Sequence, residues 1–474
     1  MTATEPTDIQ PEATPPVQPP KSGRVRRGEE FEATIETLAY GGRGIARRDG
    51  YVVFVNGGLP GDVVRAQVTK SKKGYAEANA VELISPSPDR ISDVDVHQGE
   101  ACPGASWQGL AYERQLAFKQ EHVADSLTRI GGLEGFELEN IVPALEQWRY
   151  RNKVEYSFGE QEGQLVLGFH PRGRWEDVLD IEDCMLSSEA TNKAKNDVLD
   201  WAKAEGLTAY DPHDHRGVLR NLVVREGRRT GQVQTRLVTS RANFPRPPVD
   251  LHTVIDGPSG GTTGPTGVLG EEVLHERIGD LEIQLSHDSF FQTNTEMAEV
   301  LYGVAQDYAA FDGSEKLFDL YCGVGTIAMT MAPHVKHVWG LELVEDAIMN
   351  AKKNAVNNGV ANVSFVAANA RTGLGPLLEE AGKPDVITID PPRAGLSAKI
   401  VRRLIECEAQ RIVYISCNPT TLAPNAAQLV EAGYKLVKVK PVDMFPQTPH
   451  IECVAHFELD GPLIKRDRDG NIRE

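Results

Sequence analysis

Short apolar runs broken by glycine-rich turns fill the first part of the chain, and longer apolar runs alternating with amphipathic segments fill the last. Between Gly23 and Arg90, EFEATIETLAY, GYVVFVNG, DVVRAQVTK and YAEANAVELI alternate or run apolar, separated by GGRG, RRDG, GLPGD and KSKKG. Strands this short, joined by such turns, predict a small barrel. Ala105 to Ile130 carries a helical pattern. Glu146 to about Leu285 is mixed and strand-rich, with YRNKVEYSF, QLVLGFH, VLRNLVVREG and GQVQTRLVT, and DGPSGGTTGPTG within it marks a loop. In the last third KLFDLY, HVWGLEL, VSFVAAN, PDVITID, RIVYISC and KLVKVKPVDM predict strands. EDAIMNAKKNAVNN and LAPNAAQLVEAG predict helices between them. Apolar strands separated by amphipathic helices form a doubly wound parallel sheet, whose ligands bind beyond the carboxyl ends of the strands. The expected class is α/β. Its segments are a disordered Pro-rich tail (1–22), a β-barrel (23–90), a linker helix with a mixed α/β central domain (91–285), the doubly wound domain (286–460) and a tail (461–474).

Composition narrows the setting. No run approaches the roughly 20 apolar residues of a membrane span, and the polar N-terminus is not a signal peptide. Six scattered cysteines make no disulfide framework and fit reduced cytoplasmic thiols. The net charge of −18 opposes a large non-specific nucleic-acid footprint, yet Lys21–Ala80 reverses the bias with 11 Lys/Arg against 7 Asp/Glu.

Candidate chemistry falls at the ends of the C-terminal strands. In FDLYCGVGT, Gly323 and Gly325 let the backbone turn tightly against a ligand. The third glycine of a dinucleotide fingerprint is missing, which favours a nucleoside without a pyrophosphate. Glu342 ends the next strand, where a carboxylate accepts ribose hydroxyls, and Asn369 ends the third, in reach of an adenine. Asp390-Pro391-Pro392-Arg393 forms a rigid turn after PDVITI. This motif also fits enzymes that methylate exocyclic amines. Cys417 closes the following strand in ISCNP, and Glu452 ends MFPQTPHIE. Taken alone, Cys417 reads equally as a small packed residue, and Glu452 as a surface carboxylate.

Together FFQTN, DLYCGVGT, DPPRAG, ISCNP and MFPQTPHIE resemble, in that order, the RNA 5-methyluridine methyltransferases of 23S ribosomal RNA and the tRNA T-loop. The resemblance runs from Gly23 to Phe457. It implies a Rossmann-like class I methyltransferase sheet preceded by an OB-like TRAM barrel, which suits single-stranded or looped RNA. It further implies S-adenosyl-L-methionine as methyl donor, held by Gln292, Tyr321, Thr326, Glu342, Asn369 and Asp390, with Cys417 as nucleophile and Glu452 as base. The chemistry is coherent. C5 of uracil is a poor nucleophile until a thiolate adds to C6, and a base must then remove the C5 proton. A free thiol near its ordinary pKa is already partly ionised at neutral pH. The expected enzyme is a cytoplasmic monomer acting on RNA, with 23S ribosomal RNA favoured. Two other readings are a methyltransferase for an exocyclic amine or small molecule, and a non-catalytic RNA-binding protein with a relic fold.

One stretch departs from the family. Many members with this barrel carry a four-cysteine iron–sulfur site including C-x5-C-G-G-C. Here Val96 replaces the first cysteine and Ala105 the third, while Cys102 and Cys184 match the other two. Two thiolates do not hold a [4Fe–4S] cluster in the usual way, so no cluster and no metal are expected. Arg151, Lys153, Arg220 and Arg225 in the central strands read either as an RNA groove or as a solvated basic face.

Overall fold

The computed structural model describes residues 24–171, 173–240, 245, 247, 252–256 and 267–464. The expected tail 1–22, nearly all of the DGPSGGTTGPTG loop and the last ten residues lie outside the described residues. The chain divides into two compact units, 1–90 and 91–474.

The first unit is a six-stranded sheet of β1 (Glu30–Thr34), β2 (Thr37–Leu38), β3 (Gly44–Arg48), β4 (Tyr51–Asn56), β5 (Val63–Ser71) and β6 (Tyr75–Ser85), in the order β1-β5-β6-β4-β3-β2. Alternate positions point inward: Val53 and Val55, then Val64, Ala66 and Val68, then Ala76 and Ala78. That period of two is what buries one face of each strand. The run EFEATIETLAY, expected as one strand, breaks into β1 and β2 around the buried Ile35. A Cβ on Gly44 would lie 2.8 Å from Ile35 Cγ2, and one on Gly58 2.7 Å from Ile35 Cγ1. Those two glycines therefore make room for the core.

The second unit begins with a hairpin, β7 (Val96–His97) and β8 (Glu100–Ala101), followed by α1 (Tyr112–Asp125) and β9 (Glu137–Leu138). A seven-stranded sheet then forms from β10 (Lys153–Gln161), β11 (Gln164–Phe169), β12 (Leu179–Asp180), β13 (Leu219–Gly227), β14 (Gln232–Thr239), β15 (His252–Asp256) and β16 (Gly267–Leu269). Helix α2 (Glu189–Ala204), capped by Ser188 accepting from the Thr191 N–H, lays Ala194, Val198 and Trp201 on Val154, Tyr156 and Leu222.

After the hairpin β17 (Leu274–Ile278) and β18 (Leu281–Leu285) and helix α3 (Thr295–Ala309), strand and helix alternate. They are β19 (Lys316–Leu320), α4 (Thr326–Met331), β20 (His337–Glu342), α5 (Glu345–Asn357), β21 (Val363–Ala367), α6 (Ala370–Ala381), β22 (Val386–Ile389), α7 (Ala398–Cys407), β23 (Arg411–Ser416), α8 (Pro419–Glu431), β24 (Tyr434–Val442) and β25 (Glu452–Leu459). The eight-stranded order is β21-β20-β19-β22-β23-β25-β24-β9. The order reverses between β19 and β22, and such a switch point opens a crevice for ligands. Strand β25, absent from the expected set, inserts antiparallel between β23 and β24.

Two apolar layers cover this sheet. One includes Val123, Leu127 and Leu133, from α1 and the turn after it. The other includes Leu274, Ile278, Ile283 and Leu285 of the β17–β18 hairpin. The domain boundary expected at 285/286 therefore does not coincide with a break in packing, because segments on its N-terminal side bury their apolar faces on the C-terminal sheet. No helix among the described residues is long and apolar enough to cross a membrane.

Candidate active site

Strand register gathers the site. Leu320 of β19 pairs with Leu341 of β20 and Ile389 of β22, so Tyr321, Glu342 and Asp390 emerge near one another. Ser416 of β23 pairs with Cys453 of β25, which brings Cys417 and Glu452 to adjoining strand ends. A cavity of about 610 Å³ opens there, lined by Gln292, Tyr321, Gly323, Thr326, Glu342, Asp390, Cys417 and Glu452 among others. Two expected residues are not in that lining. Gly325, at φ 84°, caps α4, and a Cβ on it would lie 2.8 Å from Phe365 Cζ. Asn369 caps α6 by accepting from the Arg371 N–H at 2.9 Å.

The turn after β19 is strained into a cradle: Tyr321, Gly323 and Gly325 all have φ in the left-handed region. Glu342 is fixed beside it. Its Oε1 accepts from the N–H groups of Leu343 at 2.7 Å and Val344 at 3.0 Å, and its Oε2 accepts from the Gly323 N–H at 3.3 Å. Gln292 Nε2 donates to Asp390 Oδ2 at 3.3 Å. Burial pushes the Asp390 carboxyl up to about 7, with that hydrogen bond acting the other way.

Cys417 and Glu452 sit in an acidic, poorly hydrated corner. Burial, then the charges of Glu452 and Asp390, push the Cys417 thiol up to about 12, while Arg393 works in the opposite direction. The expectation of a thiol partly ionised near neutrality is thereby corrected, because desolvation and two carboxylates oppose the thiolate. Glu452 is buried, and its Oε2 makes no hydrogen bond among the described residues. Burial and Asp390 hold its carboxyl well above the ordinary range, again opposed by Arg393. The Asp390 and Cys417 turns are tied together, since Asn418 Nδ2 donates to the Arg393 carbonyl at 3.1 Å.

The segment leading to Glu452 is held from behind by α1. Lys119 Nζ lies 2.6 Å from Asp443 Oδ1, with both side chains wholly buried, and also donates to the Phe445 carbonyl at 3.0 Å. Gln115 donates to Gln447 Oε1 at 2.8 Å and accepts from its backbone N–H at 2.9 Å. Tyr112 Oη donates to Asp443 Oδ2 at 3.0 Å. These supports were invisible in the sequence, where the helix read as a linker. The cavity also takes in Arg151, Phe290, Arg393 and His450. Burial and nearby cations push His450 down to about 4, leaving a neutral imidazole.

Of the central basic residues, Arg225 is a structural tie. It is buried and donates to the Ser289 carbonyl at 2.6 Å, so it contributes neither to an RNA groove nor to a solvated face. The Arg220 guanidinium stacks 3.5 Å from the Tyr210 ring centroid.

Comparison with known proteins shows the family. The TRAM domain model matches residues 24–81, and the tRNA (Uracil-5-)-methyltransferase model matches 270–373 and 378–459. An uncharacterized RNA methyltransferase of Halalkalibacterium halodurans is 37% identical over 451 residues, covering 92% of this chain and 98% of that protein. One of Chlorobaculum tepidum is 37% identical over 471 residues, covering 92% and 97%. The crystal structure of Pyrococcus abyssi tRNA (uracil-54, C5)-methyltransferase in complex with S-adenosyl-L-homocysteine superposes with a TM-score of 0.74 at 28% identity, covering 90% of this chain and 99% of that one. The chain belongs to the RNA uracil-C5 methyltransferase family, as an S-adenosylmethionine-dependent enzyme with an N-terminal TRAM domain.

Proposed function

We propose that this enzyme methylates uridine C5 through a covalent adduct on Cys417, with Glu452 removing the C5 proton. The observation that carries the reading is the meeting of Cys417, Glu452 and Asp390 in one cavity with the Gly323 turn and Glu342. S-adenosylmethionine supplies an electrophilic methyl group and a sulfonium charge. Glu342 suits its ribose. Asn369, whose Oδ1 caps α6, keeps its Nδ2 donors for the adenine. Gln292, Tyr321, Thr326 and Asp390 complete the cofactor side, and Gly325 shapes the turn.

Cys417 gives its proton to solvent and adds as thiolate to C6, and the C5–C6 π electrons move onto the C4 carbonyl. C5 of the resulting enolate then takes the methyl group, whose bond to the sulfonium sulfur breaks to leave a neutral thioether. Glu452 accepts the C5 proton, the C5–C6 double bond reforms, and the C6–S bond breaks to release the thiolate. A carboxyl held this far above its ordinary range is a stronger base once ionised. Phe290, 69% exposed at the cavity, offers a face on which a flipped base can stack.

The favoured RNA is 23S ribosomal RNA, on the strength of the barrel and the resemblance. The similarity to the Pyrococcus abyssi tRNA enzyme supports the T-loop as the second reading. Mapping 5-methyluridine by nuclease digestion and mass spectrometry, in ribosomal and transfer RNA from cells with and without the gene, tests both. Loss of a ribosomal site supports the first, and loss confined to the T-loop replaces it with the second.

A further inference from the structure

The iron–sulfur site of related proteins does not fit this chain. Ala105 is fully buried without a ligand atom, and Val96 is 46% exposed. Yet the same neighbourhood holds another donor set. Asp95, His97 and Cys102 offer a carboxylate oxygen, an imidazole nitrogen and a thiol sulfur, all within 4.8 Å of one another. The Asp95 side chain is completely buried and that of His97 is 9% exposed. His97 Nε2 stands 2.8 Å from Asp95 Oδ1. Apart from the His97 imidazole and the Cys102 thiol that face it, the Asp95 carboxylate has no side-chain partner among the described residues, and neither its oxygens nor that nitrogen makes a well-aligned hydrogen bond there. Buried polar atoms are seldom left so, and each one needs an explanation.

The backbone beneath them is deliberately held. Gln108, itself buried, accepts from the N–H groups of Val94 at 2.9 Å and Asp95 at 2.6 Å, and donates to the Asp95 carbonyl at 2.8 Å. The Cys102 N–H donates to that same carbonyl at 2.8 Å. Cys184 is buried in the same small core as Cys102, near enough for the charge of Asp95 to act on it. Its loop is pinned by Asn192, whose Oδ1 accepts from the Cys184 N–H at 2.9 Å.

We infer that Asp95, His97 and Cys102, with Cys184 as fourth ligand, bind one divalent transition-metal ion of the zinc class in place of an iron–sulfur cluster. A mixed O, N and S set suits that class better than hard, all-oxygen cations or an all-sulfur cluster. Ligand atoms around one tetrahedral zinc lie about 3.3–3.8 Å apart, so the three clustered donors close on an ion with small side-chain shifts, while Cys184, which is not one of that cluster, turns further to complete the set. The ion would join the β7–β8 hairpin to the loop before α2. Binding displaces the thiol protons, and a cation beside Asp95 offsets the cost of burying its charge.

The test uses the full-length enzyme. Elemental analysis after purification with zinc in the medium should find about one zinc per chain and negligible iron. Chelator-stripped protein titrated with Co²⁺ should develop the visible bands of tetrahedral thiolate coordination. Asp95→Asn and His97→Gln keep size and shape, and each should weaken Zn²⁺ binding by more than the roughly 10–100-fold that losing a mere supporting group costs. Cys407→Ser, remote from the set, should bind as the unaltered protein does. Folding is checked by circular dichroism, and the unaltered protein should melt lower after chelation and recover with Zn²⁺. The inference is overturned by a chain that takes up no zinc or cobalt, by Asp95→Asn and His97→Gln binding at full affinity, or by about four irons per chain with cluster absorbance. A metal-free result would leave the trio as a buried charge cluster and nothing more.

Discussion

Cys417 with Glu452, and Cys102 with Asp95, are two burials of the same pair of functional groups, and they differ in what lies alongside. The first pair opens on a cavity of about 610 Å³ with Arg393 at its edge. The second is enclosed by Tyr150, Leu179, Ile181 and Leu186, with His97 beside it. Burial is the leading cause of the raised thiol in both places, and a neighbouring carboxylate adds to it. Neither thiol ionises readily until positive charge arrives. Under the proposed mechanism the open site receives that charge with the sulfonium of each turnover, which would suit a nucleophile that must also leave. Under the proposed metal site a resident cation would make the closed thiolate permanent and inert, which would suit a staple. On both proposals, the same residue types serve reaction or architecture according to access.

Replacing Cys417 with Ala breaks the open half of the comparison most severely. Methyl transfer should fall by at least about 10⁴-fold, with RNA still bound. No adduct should form with 5-fluorouridine RNA, which traps the unaltered enzyme because fluorine does not leave as a cation. Denaturing electrophoresis reads the adduct, and substantial methylation by Cys417→Ala would sink the covalent mechanism. Glu452→Gln should slow turnover by about 10²–10⁴-fold. It should accumulate a methylated protein–RNA complex that survives denaturation and depends on S-adenosylmethionine. Failure of both variants at the same step, without the complex, would remove Glu452 from the role of base.

Support of the base is tested next. Lys119→Met leaves Asp443 charged in the core without its counter-ion, at a cost of about 3–5 kcal/mol in unfolding free energy. Adding Asp443→Leu should return most of that loss in a double-mutant cycle. Equal loss in the double variant would mean that the pair matters for shape rather than charge. The smallest effect concerns pH. Because the Cys417 thiol is held high, the single-turnover rate should rise with pH through neutrality. Arg393 lowers both Cys417 and Glu452, so Arg393→Gln should move the midpoint to higher pH, by no more than about one pH unit given the exposure of that side chain. A shift to lower pH would contradict the assigned electrostatics.

Much of this protein was written locally. The period-two strands of the barrel, the alternation of β19 to β24 with helices, and the chemistry at the ends of those strands all follow from short stretches of chain. Gly323, Glu342, Asp390 and Cys417 lie at strand ends that sequence alone predicts, since a parallel sheet delivers every such end to one edge. What eluded the sequence is what depends on contacts between distant segments. Strand β25 reads ECVAHFEL and is followed by Asp460-Gly461-Pro462, but its place, antiparallel between β23 and β24, depends on the sheet it enters. The environment of Cys417 was likewise illegible, because a thiol's acidity is set by burial and by carboxylates from other strands. Helix α1 looked like a linker because the partners of Tyr112, Gln115 and Lys119 lie more than 300 residues further along. Asp95 and His97 were illegible beside the cysteines, because an iron–sulfur pattern is spaced by Cys alone, although the spacing Asp-x-His-x4-Cys is present in the chain. Pattern along the chain determined which elements form and which reactive groups they carry. Tertiary structure alone decided which groups share a desolvated space, because Coulomb forces and lost hydration act through distance and burial, and the order of residues records neither.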